Sequence, residues 1–182
     1  MSIYKSIPAL SLVATSLAAA SAGCSPARNP TTPSTPVASV RTDCTASIDQ
    51  VAEPSDGYRI VAGNVALPPG DDLLDALPNS TGDGPVRMFA KWGLLLRTGS
   101  TATLSLSPDW AGRARIGWGG TGPVTTIELT ACPPGTGGGG WSVFAGGTWV
   151  AEADCVPIHI VSGNEQATVE MSVGAACARP GG

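Results

Sequence analysis

Short runs in which apolar and polar residues alternate, separated by turn-forming residues, are the feature that most limits what this sequence can fold into. Residues 101–107 show the pattern: Ala102, Leu104 and Leu106 share one face, while threonine and serine share the other. A period of two is the period of a β-strand. The pattern therefore predicts strands with one face in a core and one face in water.

Composition favours the same class of fold. The chain of 182 residues contains 24 Gly and 16 Pro, and only 13% of its residues are charged. Glycine and proline interrupt helices, and charged residues normally cover helix surfaces, so a long helical bundle is excluded. We expect one all-β domain, an immunoglobulin-like antiparallel β-sandwich with two disulfides. The predicted strands are 58–67, 86–97, 101–107, 113–118, 124–131, 141–144 with 148–151, 156–161 and 167–173.

Two segments depart from simple alternation. Residues 86–97 are apolar on both faces around Gly93, which predicts a central strand with a bulge or bend. Residues 71–77 begin with aspartates that suit a helix N-cap and are followed by Pro78 as a stop signal. This second segment predicts a single helical turn.

The N-terminus carries the pattern of an export signal. Lys5 precedes an uncharged, apolar run over 7–20, which is shorter than the about 20 residues that a membrane-spanning helix needs. The following Ser21-Ala22-Gly23-Cys24 resembles the lipobox of bacterial lipoproteins, in which the cysteine sulfur receives a diacylglyceryl group before cleavage. This resemblance implies a mature chain that begins at lipid-modified Cys24, carries fatty acids such as palmitate, and is held to the extracytoplasmic face of the cell membrane.

An ordinary secreted protein is the alternative. Ser21 stands where the lipobox usually has Leu, and Ala20-Ser21-Ala22 also satisfies the small-residue rule for cleavage before Gly23. The number of cysteines favours lipidation, because the chain has five and a lipid on Cys24 leaves four for disulfides.

Those four remaining cysteines allow three connectivities. Cys44 lies before the first predicted strand and Cys177 after the last, while Cys132 closes one strand and Cys155 opens another. We therefore predict that Cys44 pairs with Cys177, across the ends of the domain, and that Cys132 pairs with Cys155, across the glycine-rich segment between them. Disulfides of this kind form in oxidising compartments.

Residues 25–40 separate the export signal from the strands. They contain four prolines and no aromatic residue. This composition is typical of an extended polyproline linker, with a rise of about 3.1 Å per residue. The predicted organisation is a lipoprotein signal peptide over 1–23, a tether over 24–40 and the β-sandwich domain over 41–182.

Two patterns resemble ligand sites without the context that such sites need. Gly117-Trp118-Gly119-Gly120-Thr121-Gly122 has the G-x-G-x-x-G spacing, but Pro123 and a β-branched run follow where the dinucleotide fingerprint requires a helix. We interpret it as a hairpin connection and expect no cofactor. No metal is expected either, because the aspartates lack the ligand order of a calcium loop; these are Asp71, Asp72, Asp75 and Asp83.

The single histidine, His159, is the only imidazole available for catalysis. It lies between Ile158 and Ile160 in a predicted strand, on the face opposite these two residues. There is no G-x-S-x-G nucleophile elbow, and no acidic residue lies in a sequence context that suggests a partner for the imidazole. We therefore name no catalytic residue and expect a protein that is not an enzyme.

Five of the nine aromatic residues are tryptophans. Trp92, Trp118 and Trp141 lie in apolar alternation and are predicted to fill the core. Trp110, beside an aspartate, and Trp149, in a glycine-rich setting, are candidates for ligand contact. Exposed tryptophans stack on sugar rings, so a carbohydrate or peptidoglycan-binding module is an alternative function that would need at least two exposed rings.

Several motifs together resemble a group of uncharacterised secreted proteins and lipoproteins of actinobacteria. The resemblance covers most of residues 58–177 and implies a framework of strands, turns and disulfides without an assigned activity. The motifs are Lys91-Trp92-Gly93-Leu94, Ile116-Gly117-Trp118-Gly119, Trp141-x-x-Phe144-x-Gly146-Gly147, Cys155-Val156-Pro157-Ile158 and Val173-Gly174-x-x-Cys177.

The net charge of -4, with no basic stripe, gives no reason to bind nucleic acid. We therefore expect a non-catalytic binding or adaptor module of the cell envelope, attached to the membrane through its N-terminal lipid. The expected partner is an envelope protein or a glycan. An envelope enzyme is the less favoured alternative.

Overall fold

The computed structural model describes residues 39–135 and 139–178, and this part of the chain is all-β. Two short 3-10 turns, Cys44–Ala46 and Pro108–Trp110, accompany the strands. The strands are β1 Val40–Thr42, β2 Asp49–Val51, β3 Arg59–Val61, β4 Val65–Leu67, β5 Ala76–Pro78, β6 Met88–Arg97, β7 Thr101–Ser105, β8 Ala114–Trp118, β9 Thr126–Thr130, β10 Trp141–Val150, β11 Asp154–Ser162 and β12 Glu165–Val173.

The strands form two sheets. One has five strands in the order β1-β9-β7-β11-β12, all antiparallel except for the pair of β1 with β9. The other has seven strands built on β6 and β10, which pair from Trp141 opposite Arg97 to Val150 opposite Met88. On the side facing away from β6, β10 pairs with β2 at one end and with β8 at the other. On the side facing away from β10, β6 pairs with β4 and β5. Strand β3 pairs with β4.

The main core lies between the sheets and takes one residue in two from each long strand. Leu104 of β7, Ile127 of β9 and Ile158 of β11 have no exposed surface, and they share the core with Leu94 and Phe144 of the other sheet. The predicted alternation therefore does build two facing sheets. Both sheets, both disulfides and the core lie within residues 39–178. A chain that begins at Ser25 therefore keeps all of these elements.

Each predicted strand contains observed strand, with differences in detail. The first, 58–67, is a hairpin of β3 and β4 around Ala62–Asn64, and the two pieces around Gly146 and Gly147 are one strand, β10. The ladder between β6 and β10 runs through Gly93 without the predicted bulge. Strands β1, β2 and β5 were not predicted, and β1 includes Val40, which the sequence assigns to the tether.

The predicted helical turn over 71–77 is wrong. A turn at 70–72 leads into β5, whose Ala76 and Leu77 pair with β6. The Leu74 amide also donates to the Ser172 carbonyl (2.8 Å), and the Gly174 amide donates to the Leu74 carbonyl (2.8 Å). These tertiary bonds replace the few that an isolated helical turn could form.

The predicted cysteine pairing is also wrong. Cys44 pairs with Cys132, and Cys155 pairs with Cys177, at Cα–Cα distances of 4.5 and 4.8 Å. The parallel pairing of β1 with β9 sets Thr42 beside Leu129, which brings the cysteines that follow both strands together. At the other bridge, Cys155 lies opposite Ser172 in β12, and the chain turns back after that strand. Two disulfides indicate an oxidising compartment.

Among residues 39–135 and 139–178, no helix is long and apolar enough to cross a membrane.

Candidate functional site

The outer faces of the two sheets differ in chemistry. On the five-stranded sheet, the side chains that point away from the core are mainly short and polar. They include Thr101, Thr103, Ser105, Thr126, Glu128, Thr130, His159 and Thr168, and all are half-buried or exposed. This is the usual surface of a sheet with one face in water.

On the seven-stranded sheet, most of the outward-facing residues of the two central strands are apolar or are glycine. They alternate with core residues such as Trp92, Leu94 and Phe144. The outward residues are Phe89, Lys91, Gly93, Leu95 and Arg97 on β6 and Trp141, Val143, Ala145, Gly147 and Trp149 on β10. An apolar outer face marks a surface that contacts something other than water.

One half of this face is covered by the domain itself. Ala66, Leu95 and Trp141 form a second buried cluster, separate from the main core. The Arg97 guanidinium lies over the Trp141 ring, 4.5 Å from its centroid. Tyr58 lies against the same cluster, and burial raises the pKa of its phenol. Only the other half of the face is therefore open.

The open half contains two adjoining cavities that share Lys91, Ala145 and Gly146, and we call these cavities the outer groove. One, of about 360 Å³, extends to Phe89, Trp149 and the turn over 120–123. The other, of about 330 Å³, extends through Gly93 to Val143 and Ile48. Each lies within the size range of about 300 to 1,000 Å³ that is typical of small-molecule sites.

Glycines shape this groove because larger residues would collide with the backbone. A Cβ on Gly146 would lie 2.1 Å from the Gly117 carbonyl oxygen, and a Cβ on Gly117 would lie 2.7 Å from the Thr121 oxygen. Gly119 and Gly120 have φ values of 65° and 78°, which make the tight turn after β8. The six-residue glycine motif is therefore a tight turn closed by a single antiparallel bridge, Ile116 with Val124, and it forms one wall of the groove. The prediction of a hairpin connection is wrong beyond this bridge, because β8 and β9 lie in different sheets.

Lys91 is the one cation at the centre of this surface. It lines both cavities of the outer groove and a third of about 550 Å³, which Leu73, Leu77 and Phe89 also line. Its ammonium group has no hydrogen bond or ion pair with any residue in the described part of the chain. Ile48, Leu73 and Leu77 are more than half exposed around it. The site therefore combines apolar surface with one unpaired positive charge.

Trp149 forms an end wall of the outer groove, although the residue as a whole is only 6% exposed. The ring packs against Phe89 with centroids 4.4 Å apart. Its indole N–H donates to the Thr81 hydroxyl (3.2 Å), and the Thr81 amide in turn donates to the Asn79 side chain (2.8 Å). The 79–81 segment thus fixes the orientation of this wall.

The other candidate aromatic residue, Trp110, lies away from the outer groove. It is buried in the main core, and the Arg113 guanidinium covers its ring at 4.2 Å. Trp92 and Trp118 are in the core, as predicted, whereas Trp141 lies in the second cluster on the opposite side of the sheet. All five tryptophans are buried, so none offers an open ring face for a sugar.

His159 lies on the outer face of the five-stranded sheet, and Ile158 and Ile160 point into the core, which confirms the predicted register. Its Nδ1 atom is 3.4 Å from the Thr168 hydroxyl. Of the aspartates, Asp83 pairs with Arg115 at 3.5 Å. Cys24 falls outside the described residues.

A larger cavity of about 770 Å³ lies beside the outer edge of β12, and it differs from the outer groove in chemistry. Arg59 crosses it to donate to the Glu170 carbonyl (3.3 Å). The Glu170 carboxylate lies within 4.8 Å of the sulfurs of Cys155 and Cys177, but these sulfurs are bonded to each other. The group therefore offers a cation only one free ligand residue.

Sequence reasoning missed Lys91, Ala145 and Gly146 as site residues. The available signal was the apolar character of both faces of 86–97, which we interpreted only as a central strand. Strand β6 is central, yet its second face is buried only at Leu95 and is open at Lys91 and Gly93.

No model of a known protein family matches the sequence, and neither a curated protein nor a solved structure shows significant similarity to it.

Proposed function

We propose that this protein is a non-catalytic binding module of the cell envelope, held to the extracytoplasmic face of the membrane by lipid on Cys24. The observation that carries the proposal is the open apolar half of the seven-stranded sheet, where the outer groove surrounds the unpaired ammonium of Lys91. The rigid ladder of β6 and β10 holds this surface, and the ligand contacts Lys91, Ala145 and the rim of Trp149.

The cysteines support the lipid anchor. The four cysteines of the domain pair with one another, which leaves Cys24 without a partner in its own chain. An unpaired thiol in an oxidising compartment reacts with other thiols, and acylation removes that liability. Secretion after cleavage before Gly23 is the alternative.

The proposed partner is a component of the envelope, and burial of all five tryptophans makes a glycan the less favoured choice. Membership in the group of secreted proteins and lipoproteins of actinobacteria is part of the proposal and rests on the motifs. So is an immunoglobulin-like order of strands, which two sheets with a shared core support.

A photocrosslinking experiment in intact cells tests the site. A photoreactive amino acid replaces Ile48, which is exposed at the rim of the outer groove, and, as the matched control, Thr103 on the outer face of the five-stranded sheet. Neither side chain belongs to the core, so both variants should fold. We expect discrete adducts from position 48 and few from position 103. Equal adducts from both positions, or none from position 48, would contradict the proposed site.

A further inference from the structure

We infer that the outer groove binds an acyl chain of an anionic envelope lipid, with the headgroup against Lys91. This inference rests on the proposed function, since it names the ligand of the same site. It follows from the chemistry of the lining, the position of the charge and the point at which the chain enters the domain.

The lining suits a ligand that needs few hydrogen bonds. The floor is a sheet face, where the backbone amides and carbonyls of β6 and β10 already pair with each other. A peptide or a sugar would bring polar groups into the groove, and each one left unpaired costs free energy. An acyl chain brings none, and each buried methylene contributes favourably.

The charge selects the headgroup. Lys91 lies where the two cavities of the outer groove meet, and no carboxylate of the described residues forms an ion pair with it. Asp75 lines the third cavity together with Lys91 without pairing with it. A phosphate or carboxylate at one end of the acyl chain would pair with this ammonium. A lipid without net charge would not neutralise the positive charge of this ammonium, so we expect a preference for anionic lipids.

The chain between Cys24 and the domain is long enough to let this surface reach the membrane. Thr42 of β1 bonds through its hydroxyl to the hydroxyl of Thr121 (2.7 Å), and Thr121 lines the outer groove. Thr42 follows Cys24 by 18 residues. At about 3.5 Å per residue, the groove is therefore within about 60 Å of a bilayer that holds Cys24.

Native mass spectrometry of the soluble chain from Ser25 to Gly182 tests this inference. The probes are palmitoyl-lysophosphatidylglycerol, which is anionic, and palmitoyl-lysophosphatidylcholine, which has the same chain and a zwitterionic headgroup. We expect one anionic lipid per chain, bound about fivefold more tightly than the zwitterionic one.

Variants separate the contribution of the Lys91 charge from that of the apolar lining. Lys91→Gln should remove the preference for the anionic lipid, and Lys91→Arg should keep it. Ala145→Leu, which fills the point shared by both cavities, should weaken both lipids at least about tenfold. His159→Ala, on the other sheet, is the control and should bind both lipids as the unmodified chain does.

Lipid binding that is unchanged in Lys91→Gln and Ala145→Leu would overturn the inference, as would no binding to the unmodified chain. If no lipid binds but a probe at position 48 still crosslinks to an envelope protein in cells, the inference fails and the proposed function stands. If position 48 gives no adduct at all, the proposed function fails as well.

Discussion

Replacing Trp118 with alanine should cost the domain a large part of its stability. Trp118 has no exposed surface, and its ring meets the Trp92 ring edge to face, with centroids 4.7 Å apart. Truncating a buried aromatic side chain typically costs about 3 to 5 kcal/mol, and loss of an aromatic pair is part of that amount. A domain of this size has a total stability of only about 5 to 15 kcal/mol.

The indole N–H of Trp118 sharpens this prediction. It is buried without a hydrogen-bond acceptor among the described residues. Trp118→Phe therefore removes an unpaired donor while keeping an aromatic ring in the core. We expect Trp118→Phe to lose less than half of the free energy of unfolding that Trp118→Ala loses, because packing rather than hydrogen bonding is the main contribution of this residue.

The assay is denaturant unfolding of the soluble chain with both disulfides intact, followed by tryptophan fluorescence. His159→Ala serves as the surface control and should change the free energy of unfolding by less than about 0.5 kcal/mol. A His159 variant less stable than Trp118→Ala would refute the assignment of sheet faces. A Trp118→Phe variant as unstable as Trp118→Ala would contradict the argument that a phenyl ring retains most of the packing at this position.

Other properties of the domain follow from the same contacts. Non-reducing peptide mapping should recover Cys44 linked to Cys132 and Cys155 linked to Cys177. A disulfide-linked peptide that joins Cys44 to Cys155 or to Cys177 would contradict the parallel pairing of β1 with β9. Mass spectrometry of the membrane-extracted protein should find lipid on Cys24, and a free N-terminus at Gly23 would exclude it. Gly146→Ala should lower the free energy of unfolding by about 1 to 3 kcal/mol, because the added methyl group would overlap the backbone of β8. Gly122→Ala is the control and should leave the free energy of unfolding unchanged, because no atom lies near the added methyl group. Denaturant unfolding of the two variants side by side measures the difference. Ultraviolet titration of Tyr58, the only tyrosine after residue 24, should give a pKa above that of a free tyrosine. Because the pKa of this phenol is higher in the folded state than in the unfolded state, its contribution to the free energy of unfolding is present at neutral pH. That contribution is lost as the pH rises through the pKa of the folded state.

Much of the fold is predictable because one face of each long strand must enter the core. The alternation in β7 and β11 fixes both the strand and the face, which is why the position of His159 could be predicted. The three-residue strands β1, β2 and β5 carry too little pattern, and they form only because a longer neighbour offers unpaired backbone groups.

The disulfides and the site needed the three-dimensional structure for a different reason. Sequence order suggested that Cys44 and Cys177 close the domain, but a parallel pair can only be recognised when β1 is seen beside β9. Likewise, Lys91 is one charge in an apolar run, and its lack of a counter-ion depends on which residues the fold places around it.

The bridge between Cys44 and Cys132 has a mechanical consequence for a domain anchored through its N-terminus. Tension on the tether reaches β1 first and can detach at most the few residues before Cys44. From there the load passes through the disulfide to the end of β9, and the chain between Cys44 and Cys132, which are 88 positions apart, cannot extend. A second bridge, between Cys155 and Cys177, shields most of β11 and β12 in the same way. Six strands of the sheet that carries the outer groove lie inside the first loop, whereas β10 lies between the two loops. Under shear that stretches the tether, the groove would therefore keep its shape as long as the ladder between β6 and β10 holds.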